Sequence, residues 1–554
     1  MERKGFTLDP ELLESAQRPD EAISEWSACL NALGLYHTEQ FVLRLSPRVH
    51  ALLEGHSAGL YEADHFDPEA IQAHSTFLHE TIHWWQHIGS TAGFIYSLAL
   101  PAQCHMNVKD LRMLAKRAGV GKSIRQWAEA QSKKNGPDRD PALGAANRTV
   151  NNTLDLEFYK VLASRPGLAP ELARDVYFES QGHCWQMAYS QAASILAATV
   201  DPTFAHLPGG PHWDAGFGEL RKTRRPGFYH GGPIFMAPIG LHALFEGQAR
   251  FLQLQYLVFA GGESSIAALR ERGYLDEIYG EAFDAFLEAT GWPPPARMDD
   301  PAVALFLLIC DLAINPTAGF PLEIENFDSF IVDVDPGIRF IRLCEAARNS
   351  PDLRTMIRDY SREEYVLAGD TLAKACGYAP VLSGLEAIAA WASTVQGVSQ
   401  IMAERETFRF DGGNLAVRIL LSHFVAFNQD KLISPEFFCW TGAWMAGSRV
   451  DEDKVALFNA HHSLFTDKAD DDSIVPRLWP GKDEADISEM LNSFYDSIMV
   501  YDLTRQWILN GGPVRHDYRW LSTQLSHDDM VMLAKSAFEM LVGISIDEIP
   551  IISA

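Results

Sequence analysis

The sequence lacks any apolar run long enough to cross a bilayer. Its longest run, Ala302 to Ile314, is interrupted by Asp311 and is shorter than the roughly 20 residues that a spanning helix needs. The N-terminal stretch MERKGFTLDPELLES contains no apolar core of the kind that signal peptides have. We therefore expect a protein that is neither inserted in a membrane nor exported.

The sequence also lacks an organised set of cysteines. It has seven, an odd number, and they are widely scattered with no CxxC pair and no spacing typical of a disulfide framework. Free thiols of this kind suit a reducing compartment. We expect the protein to be cytoplasmic.

Basic residues are scarce relative to acidic ones. The chain carries 46 Lys and Arg against 73 Asp and Glu, which gives a formal net charge of −27. Such a charge repels phosphate backbones and anionic lipids, so we expect neither nucleic acid nor a membrane as a partner. Apolar residues make up 47% and charged residues 21%, as in an ordinary globular protein.

The length and the pattern of helix signals indicate how the chain is organised. A chain of 554 residues is too long for one compact core, so we expect two or three domains. The clearest boundary is the proline-rich segment 291–296, which predicts a catalytic region over 1–290 and a helical region over 297–554. Besides the helix discussed next, the pattern predicts helices at 21–35, 92–118, 121–134, 143–164, 170–199 and 238–260, strands at 40–45 and 330–334, a long loop at 201–232 and an acidic loop at 467–486.

The most informative stretch contains His79-Glu80-x-x-His83, the HExxH pattern. On an α-helix, residues four apart lie on the same face, so the two imidazoles can bind one Zn²⁺ at about 2.0–2.1 Å each. Glu80 lies about 100° around the helix, close enough to the open metal position to act as a general base. The pattern therefore predicts two zinc ligands and a base from little more than one helical turn.

The flanking residues predict the helix that this motif needs. Asp67 is suited to the N-cap, Pro68 to the first helical position, and Gly89 to the end of the helix. Ile71, Leu78, Ile82 and Trp85 form an apolar stripe, so the helix is expected to be buried. Buried polar groups without partners are costly, which argues against a chance motif.

A catalytic zinc site usually has three protein ligands, so a third must be found. His87 is unsuitable, because it lies eight residues and about 12 Å along the helix from His79. Glu246 is better placed, since a buried helix at this point would leave its carboxylate in need of a cation. Glu157 and Glu179 stay open as rivals, and the plain alternative for Glu246 is an ion pair with Arg250, four residues on.

HExxH on one helix with Glu246-Gly-x-Ala on a later helix resembles the gluzincin branch of the zincin metallopeptidases. The resemblance implies zinc bound by His79, His83 and Glu246, with Glu80 as the general base, and a protein or peptide substrate. It also implies a mainly α fold with a zincin-like core, a small N-terminal β-sheet, large helical insertions and a helical C-terminal region. The strand at 40–45 would correspond to the sheet edge along which zincins bind extended substrate.

Acyl transfer also requires a group that stabilises the oxyanion. His242 lies one turn before Glu246 on the same helix face, while Tyr229 and His230 lie in the preceding loop. Any of the three could donate this hydrogen bond.

Other interpretations compete with a peptidase. The second half of the chain suits a regulatory protein partner, and the whole could be a helical interaction or scaffold protein with a structural metal. Gly55-His-Ser57-Ala-Gly59 matches a serine hydrolase elbow but has too few βα units before it. Gly119–Ser123 imitates a phosphate loop, Glu62 and His65 with the HExxH residues imitate a di-iron motif, and His461-His462 with Asp467 and Asp470–Asp472 could attract a metal.

Overall fold

A computed structural model gives the three-dimensional structure of the chain. It describes residues 6–14, 32–54, 67–117, 119–135, 140–469, 474–516, 518 and 526–552. Helices account for 67% of the chain and strands for 3%, which confirms the mainly α prediction. Within the described part of the chain, no helix is both long and apolar enough to span a membrane.

The helices of the first half surround the predicted metal helix. They are α1 (Pro47–Leu53), α2 (Pro68–Gly89), α3 (Thr91–Ala115), α4 (Ile124–Asn135), α5 (Pro141–Ser164), α6 (Ala169–Leu172), α7 (Gln181–Val200), α8 (Pro211–Lys222), α9 (Leu241–Phe259), α10 (Ile266–Glu271) and α11 (Ile278–Thr290).

The second half is also helical. Its helices are α12 (Pro301–Ile314), α13 (Phe330–Val334), α14 (Pro336–Arg348), α15 (Arg362–Cys376), α16 (Ser383–Thr394), α17 (Gln396–Thr407), α18 (Leu415–Ile433), α19 (Pro435–Cys439), α20 (Thr441–Trp444), α21 (Glu452–Ala460), α22 (Glu484–Leu509) and α23 (His527–Val542).

Helix α2, which carries His79 and His83, begins and ends where the sequence predicts. The Asp67 carboxylate caps it by accepting hydrogen bonds from the backbone N–H groups of Glu69 (3.0 Å) and Ala70 (3.3 Å). Pro68 occupies the first helical position and Gly89 the last. Every residue from Ala70 to Gly89 is buried, so α2 is a central helix rather than a surface one.

Four short strands form one small sheet next to α2. They are β1 (Gly34–His37), β2 (Val42–Leu45), β3 (Phe465–Thr466) and β4 (Val475–Pro476). Their order is β1-β2-β3-β4, with β1 and β2 antiparallel, β2 and β3 parallel, and β3 and β4 antiparallel. The Tyr36 ring of β1 contacts the rings of Trp84 (6.4 Å) and His87 (5.7 Å), so β1 lies along α2.

This topology corrects the interpretation of residues 40–45 as the sheet edge. Their strand, β2, is paired on both sides, and β1 is the edge strand that lies along α2. The sequence pattern missed β1 because Gly34 and Leu35 were assigned to a helix over residues 21–35, of which 21–31 lie outside the described residues. A short apolar segment cannot be assigned by periodicity alone.

The second half of the chain packs directly on α2. The Trp85 indole N–H donates to the backbone carbonyl of His461 (2.7 Å), and the Asn428 side chain donates to the carbonyl of Gly89 (3.1 Å). Strands β3 and β4 complete a sheet that β1 and β2 begin. The two halves of the chain thus share one sheet. Their division into the regions 1–290 and 297–554 stays a prediction.

Three smaller predictions are wrong. The predicted strand at 330–334 is the short helix α13, which a hydrogen bond from the Ser329 hydroxyl to the Asp333 carboxylate supports. The predicted helix at 170–199 is divided into α6 and α7, because Ser180 caps α7 by accepting from the N–H of His183 (3.2 Å). The predicted loop at 201–232 contains α8, which begins at a proline.

Candidate metal centre

Two histidines of α2 and one carboxylate of α9 converge on one point. The Nε2 atoms of His79 and His83 lie 3.1 Å apart. The Oε2 atom of Glu246 lies 3.6 Å from Nε2 of His79 and 3.4 Å from Nε2 of His83. Among the described residues, these three form the only group of at least three His, Cys, Asp or Glu side chains with metal-binding geometry.

The size of this triangle fits a tetrahedral ion. Tetrahedral ligands at about 2.0–2.1 Å from zinc stand roughly 3.3–3.4 Å from one another. The three measured separations, 3.1, 3.4 and 3.6 Å, bracket that value. Two nitrogens and one carboxylate oxygen are also a donor set that zinc prefers, with a fourth position left for water. The residues therefore fit a catalytic zinc ion.

Helix α9 is held beside α2 by a glutamine that also orients one ligand. The Gln86 side-chain NH₂ donates to the backbone carbonyl of Phe245 (2.9 Å) and to Oε1 of Gln248 (3.0 Å). Its Oε1 atom lies 2.8 Å from Nδ1 of His83 and accepts that proton. With Nδ1 engaged by Gln86, Nε2 is the ring nitrogen of His83 that faces His79 and Glu246, the orientation that metal binding requires.

The charges of the three side chains are strongly coupled. Burial alone would lower the pKa of His83, but the Glu246 carboxylate reverses this and raises it to about 9. Burial alone would raise the pKa of Glu246, but the charge on His83 holds it well below its ordinary value. Burial lowers the pKa of His79 to about 4. Without a metal, His83 and Glu246 are therefore an ion pair at neutral pH, beside a neutral His79.

Glu80, the predicted base, lies on the side of α2 that faces β1. It is buried, and burial raises the pKa of its carboxyl to about 8. Gly34 of β1 approaches it closely: a Cβ atom at that position would lie 2.7 Å from Cγ and 2.8 Å from Oε1 of Glu80. The edge strand thus sets the position of the carboxylate.

We expect the substitution Gly34→Ala to displace Glu80 and to destabilise the fold by about 1–3 kcal/mol, because an added methyl group has no room there. Gly218 is the matched control, since nothing lies within 4 Å of a Cβ atom at that helical position. Gly218→Ala should leave the free energy of unfolding unchanged or raise it slightly. Urea unfolding of both variants measures the difference. Equal stability would contradict the close approach of β1 to Glu80.

Neither Glu157 nor Glu179, the rivals for the third ligand, belongs to the cluster with His79 and His83. The Glu157 carboxylate accepts two hydrogen bonds from the Arg505 guanidinium, at 2.9 and 2.8 Å. Glu179 lies near His183, with its Oε2 atom 3.6 Å from Nε2, and its side chain is 45% exposed. Of the three predicted carboxylates, the structure brings only Glu246 to the histidine pair.

The alternative of a Glu246–Arg250 ion pair does not form. Arg250 instead donates to Oε1 of Gln253 (2.9 Å), and its guanidinium lies 3.8 Å from the centre of the Tyr279 ring. Arg250 is thus held by Gln253 and Tyr279 instead of by Glu246.

His87 is not part of the cluster. It is buried between the rings of Tyr36 (5.7 Å), Tyr96 (5.7 Å) and Phe245 (5.1 Å). Burial lowers the pKa of its imidazole to about 3, so the ring is neutral.

Of the three predicted oxyanion stabilisers, only His242 has an interaction with a residue of the cluster within the described part of the chain. His242 is half-buried, and the charge of Glu246 reaches it, although burial dominates and lowers the pKa of His242. Tyr229 instead has the Arg224 guanidinium 4.7 Å from its ring centre, and His230 is exposed. Neither residue forms a hydrogen bond, ion pair or ring contact with His79, His83 or Glu246.

Sequence reasoning missed Tyr279 of α11. Its ring centre lies 6.2 Å from that of His79, and its hydroxyl donates to Oε2 of Glu14 (3.1 Å). Arg250 stacks on the same ring. Tyr279 lies 33 residues after Glu246, outside any motif, so no signal in the sequence could have found it.

Several competing motifs fall in segments that the structure does not describe. These are the Ser57 elbow, the Glu62–His65 pair and the acidic residues Asp470–Asp472. The Lys122 ammonium of the phosphate-loop imitation donates to backbone carbonyls of residues 510 and 512, which is a structural role. His461 lies 2.8 Å from the Asp430 carboxylate through Nε2 and packs among aromatic rings.

In comparisons with known proteins, no family model matches the chain, and no curated protein or solved structure gives a significant match. The geometry of the site therefore carries the functional argument.

Proposed function

We propose that this protein is a zinc-dependent metallohydrolase, and specifically a peptidase of the HExxH type. The observation that supports this most directly is the triangle of His79, His83 and Glu246, whose edges suit one tetrahedral zinc ion. A buried carboxylate, Glu80, adjoins the first of these ligands in the sequence and on the helix.

Each side chain would have a defined role in peptide hydrolysis. Bound zinc lowers the pKa of a coordinated water and polarises the scissile carbonyl. Glu80, ionised beside the bound cation, would take a proton from the attacking water and pass it to the leaving nitrogen. His242, one turn before Glu246, could donate a hydrogen bond to the oxyanion. The Tyr279 hydroxyl could do so only by giving up its hydrogen bond to Glu14. Gln86 would hold His83 in the correct tautomer throughout.

The proposal is tested by metal content and by chelator-sensitive proteolysis. Purified protein should contain one zinc per chain and should cleave a denatured protein such as casein. A chelator should stop cleavage, and added zinc should restore it. The variant His79→Ala should lose both the metal and the activity. Stoichiometric zinc without cleavage would instead favour the scaffold protein with a structural metal, and cleavage that ignores the chelator would contradict a metal mechanism.

A further inference from the structure

A cleft of about 430 Å³ opens beside the metal centre, at the N-terminal end of α9. Helix α9 contributes Leu241, His242 and Phe245 to its lining, and α2 contributes His87. Because His242 precedes the ligand Glu246 by one helical turn, this part of the cleft lies about 6 Å along the helix from the carboxylate that would bind zinc. The cleft is thus next to the place where a substrate would react.

Three basic side chains line this cleft: Lys160, Arg165 and Arg505. Lys160 pairs with Glu39, and Arg505 forms a double hydrogen bond with Glu157, so these four charges neutralise one another. Arg165 also lines the cleft; it is exposed, and no described residue forms an ion pair with its guanidinium. Among the residues that line the cleft, the Arg165 guanidinium is therefore the one charge that no opposite charge of the lining neutralises.

The N-terminus of α9 adds backbone donors to the same wall. Gly240 occupies the N-cap position, so no side chain caps the helix. The first N–H groups of such a helix have no partner within it, and they attract anions. A Cβ atom at Gly240 would lie 2.5 Å from the carbonyl oxygen of Ser164, so this helix end is held directly against the residue that precedes Arg165.

A buried imidazole in the cleft wall lacks a partner as well. His87 is 6% exposed, and its Nδ1 atom makes no hydrogen bond within the described part of the chain. A buried polar atom of this kind is costly unless a ligand or a water satisfies it.

We propose that this cleft binds a carboxylate of the substrate and that Arg165 determines specificity for it. The inference rests on the proposed peptidase function. Since an extended chain advances about 3.3–3.6 Å per residue, the carboxylate would lie one or two residues from the scissile bond. It is either the free C-terminus of a peptide or the side chain of an Asp or Glu. The planar guanidinium suits bidentate binding of either carboxylate.

The inference is tested with peptides from a digested protein mixture. Two pools are prepared, one with free C-termini and one with amidated C-termini. Mass spectrometry locates each cut made by the zinc-loaded enzyme. We expect cuts within two residues of a carboxylate. Those near the C-terminus should be lost on amidation if the terminus is recognised, and cuts beside Asp or Glu should persist if side chains are recognised. Cuts with no enrichment near either kind of carboxylate would overturn the proposal.

The variant Arg165→Gln separates specificity from catalysis. For the best-cleaved acidic peptide, we expect the KM to rise about tenfold, with the kcat changed less than twofold and the zinc content unchanged. Arg165→Lys should recover part of the affinity. Arg174→Gln is the control, because Arg174 is exposed and does not line the cleft. An unchanged preference for carboxylates in Arg165→Gln would refute the role of Arg165.

A failure of the peptidase function can be distinguished from a failure of this inference. If zinc-loaded protein cleaves neither pool, retention of the two pools by the same protein is compared by ultrafiltration. Stronger retention of peptides with carboxylates by the wild type than by Arg165→Gln would support the cleft as a binding site without hydrolysis. Equal retention by both proteins would reject it.

Discussion

The substitution Glu80→Gln is expected to lower kcat by about 10²–10⁴-fold while leaving one zinc per chain. An amide cannot accept the proton that general base catalysis requires, and proton transfer contributes an effect of this size. The metal should stay, because Glu80 is outside the ligand triangle formed by its neighbours. Initial rates on a denatured protein substrate and metal analysis of the same sample provide the measurement.

This variant should also fold. Burial raises the pKa of Glu80 to about 8, so at pH 7 the metal-free protein holds this carboxyl mainly in its neutral form. Gln has nearly the same shape as a protonated Glu, and it fits beside Gly34 equally well. Glu69→Gln is the matched control, since Glu69 is exposed on the first turn of the same helix. Activity of Glu80→Gln equal to that of the control would eliminate Glu80 as the base.

The sequence predicted the cluster of His79, His83 and Glu246 in part because the geometry of the histidine pair is local. His79 and His83 are one turn apart, so the helix alone brings their rings together, and Asp67 and Pro68 indicate where that helix begins. Glu246 was predicted by a different argument, the cost of a buried carboxylate without a cation. Choosing it over Glu157 required the fold, because only tertiary structure reveals that Arg505 neutralises Glu157.

The parts of the site that sequence reasoning missed are contacts between distant segments. Gly34 lies 46 residues before Glu80, and its close approach depends on how β1 packs on α2. Tyr279 reaches His79 from α11, and Arg250 stacks on Tyr279 instead of pairing along its own helix. Periodicity and capping describe single elements, so they contain no information about such neighbours. The same reason explains why β1 and the inner position of β2 were not predicted.

The substitution Glu246→Gln is expected to weaken zinc binding by more than about 100-fold. Loss of a residue that only supports a ligand already costs about 10–100-fold in affinity, and Glu246 would be a ligand itself. Competition with a chromophoric chelator measures the affinity. Glu157→Gln is the control. Glu157 was a rival for the third ligand position, but Arg505 neutralises it, so its loss should leave the zinc affinity unchanged. Equal loss in the two variants would contradict the assignment of Glu246.

Proton release on zinc binding gives a second, independent test of the role of Glu246. The carboxylate of Glu246 raises the pKa of His83 to about 9, so at pH 7 the metal-free wild type holds a proton that a metal ion must displace. The apparent zinc affinity of the wild type should therefore increase with pH until about pH 9. In Glu246→Gln the largest influence that raises the pKa of His83 is gone, so burial lowers this pKa and less of the proton remains at pH 7. Calorimetric zinc titrations in buffers of different ionisation enthalpy should thus detect proton release by the wild type and much less by Glu246→Gln, whereas equal release would mean that Glu246 does not control the charge of His83.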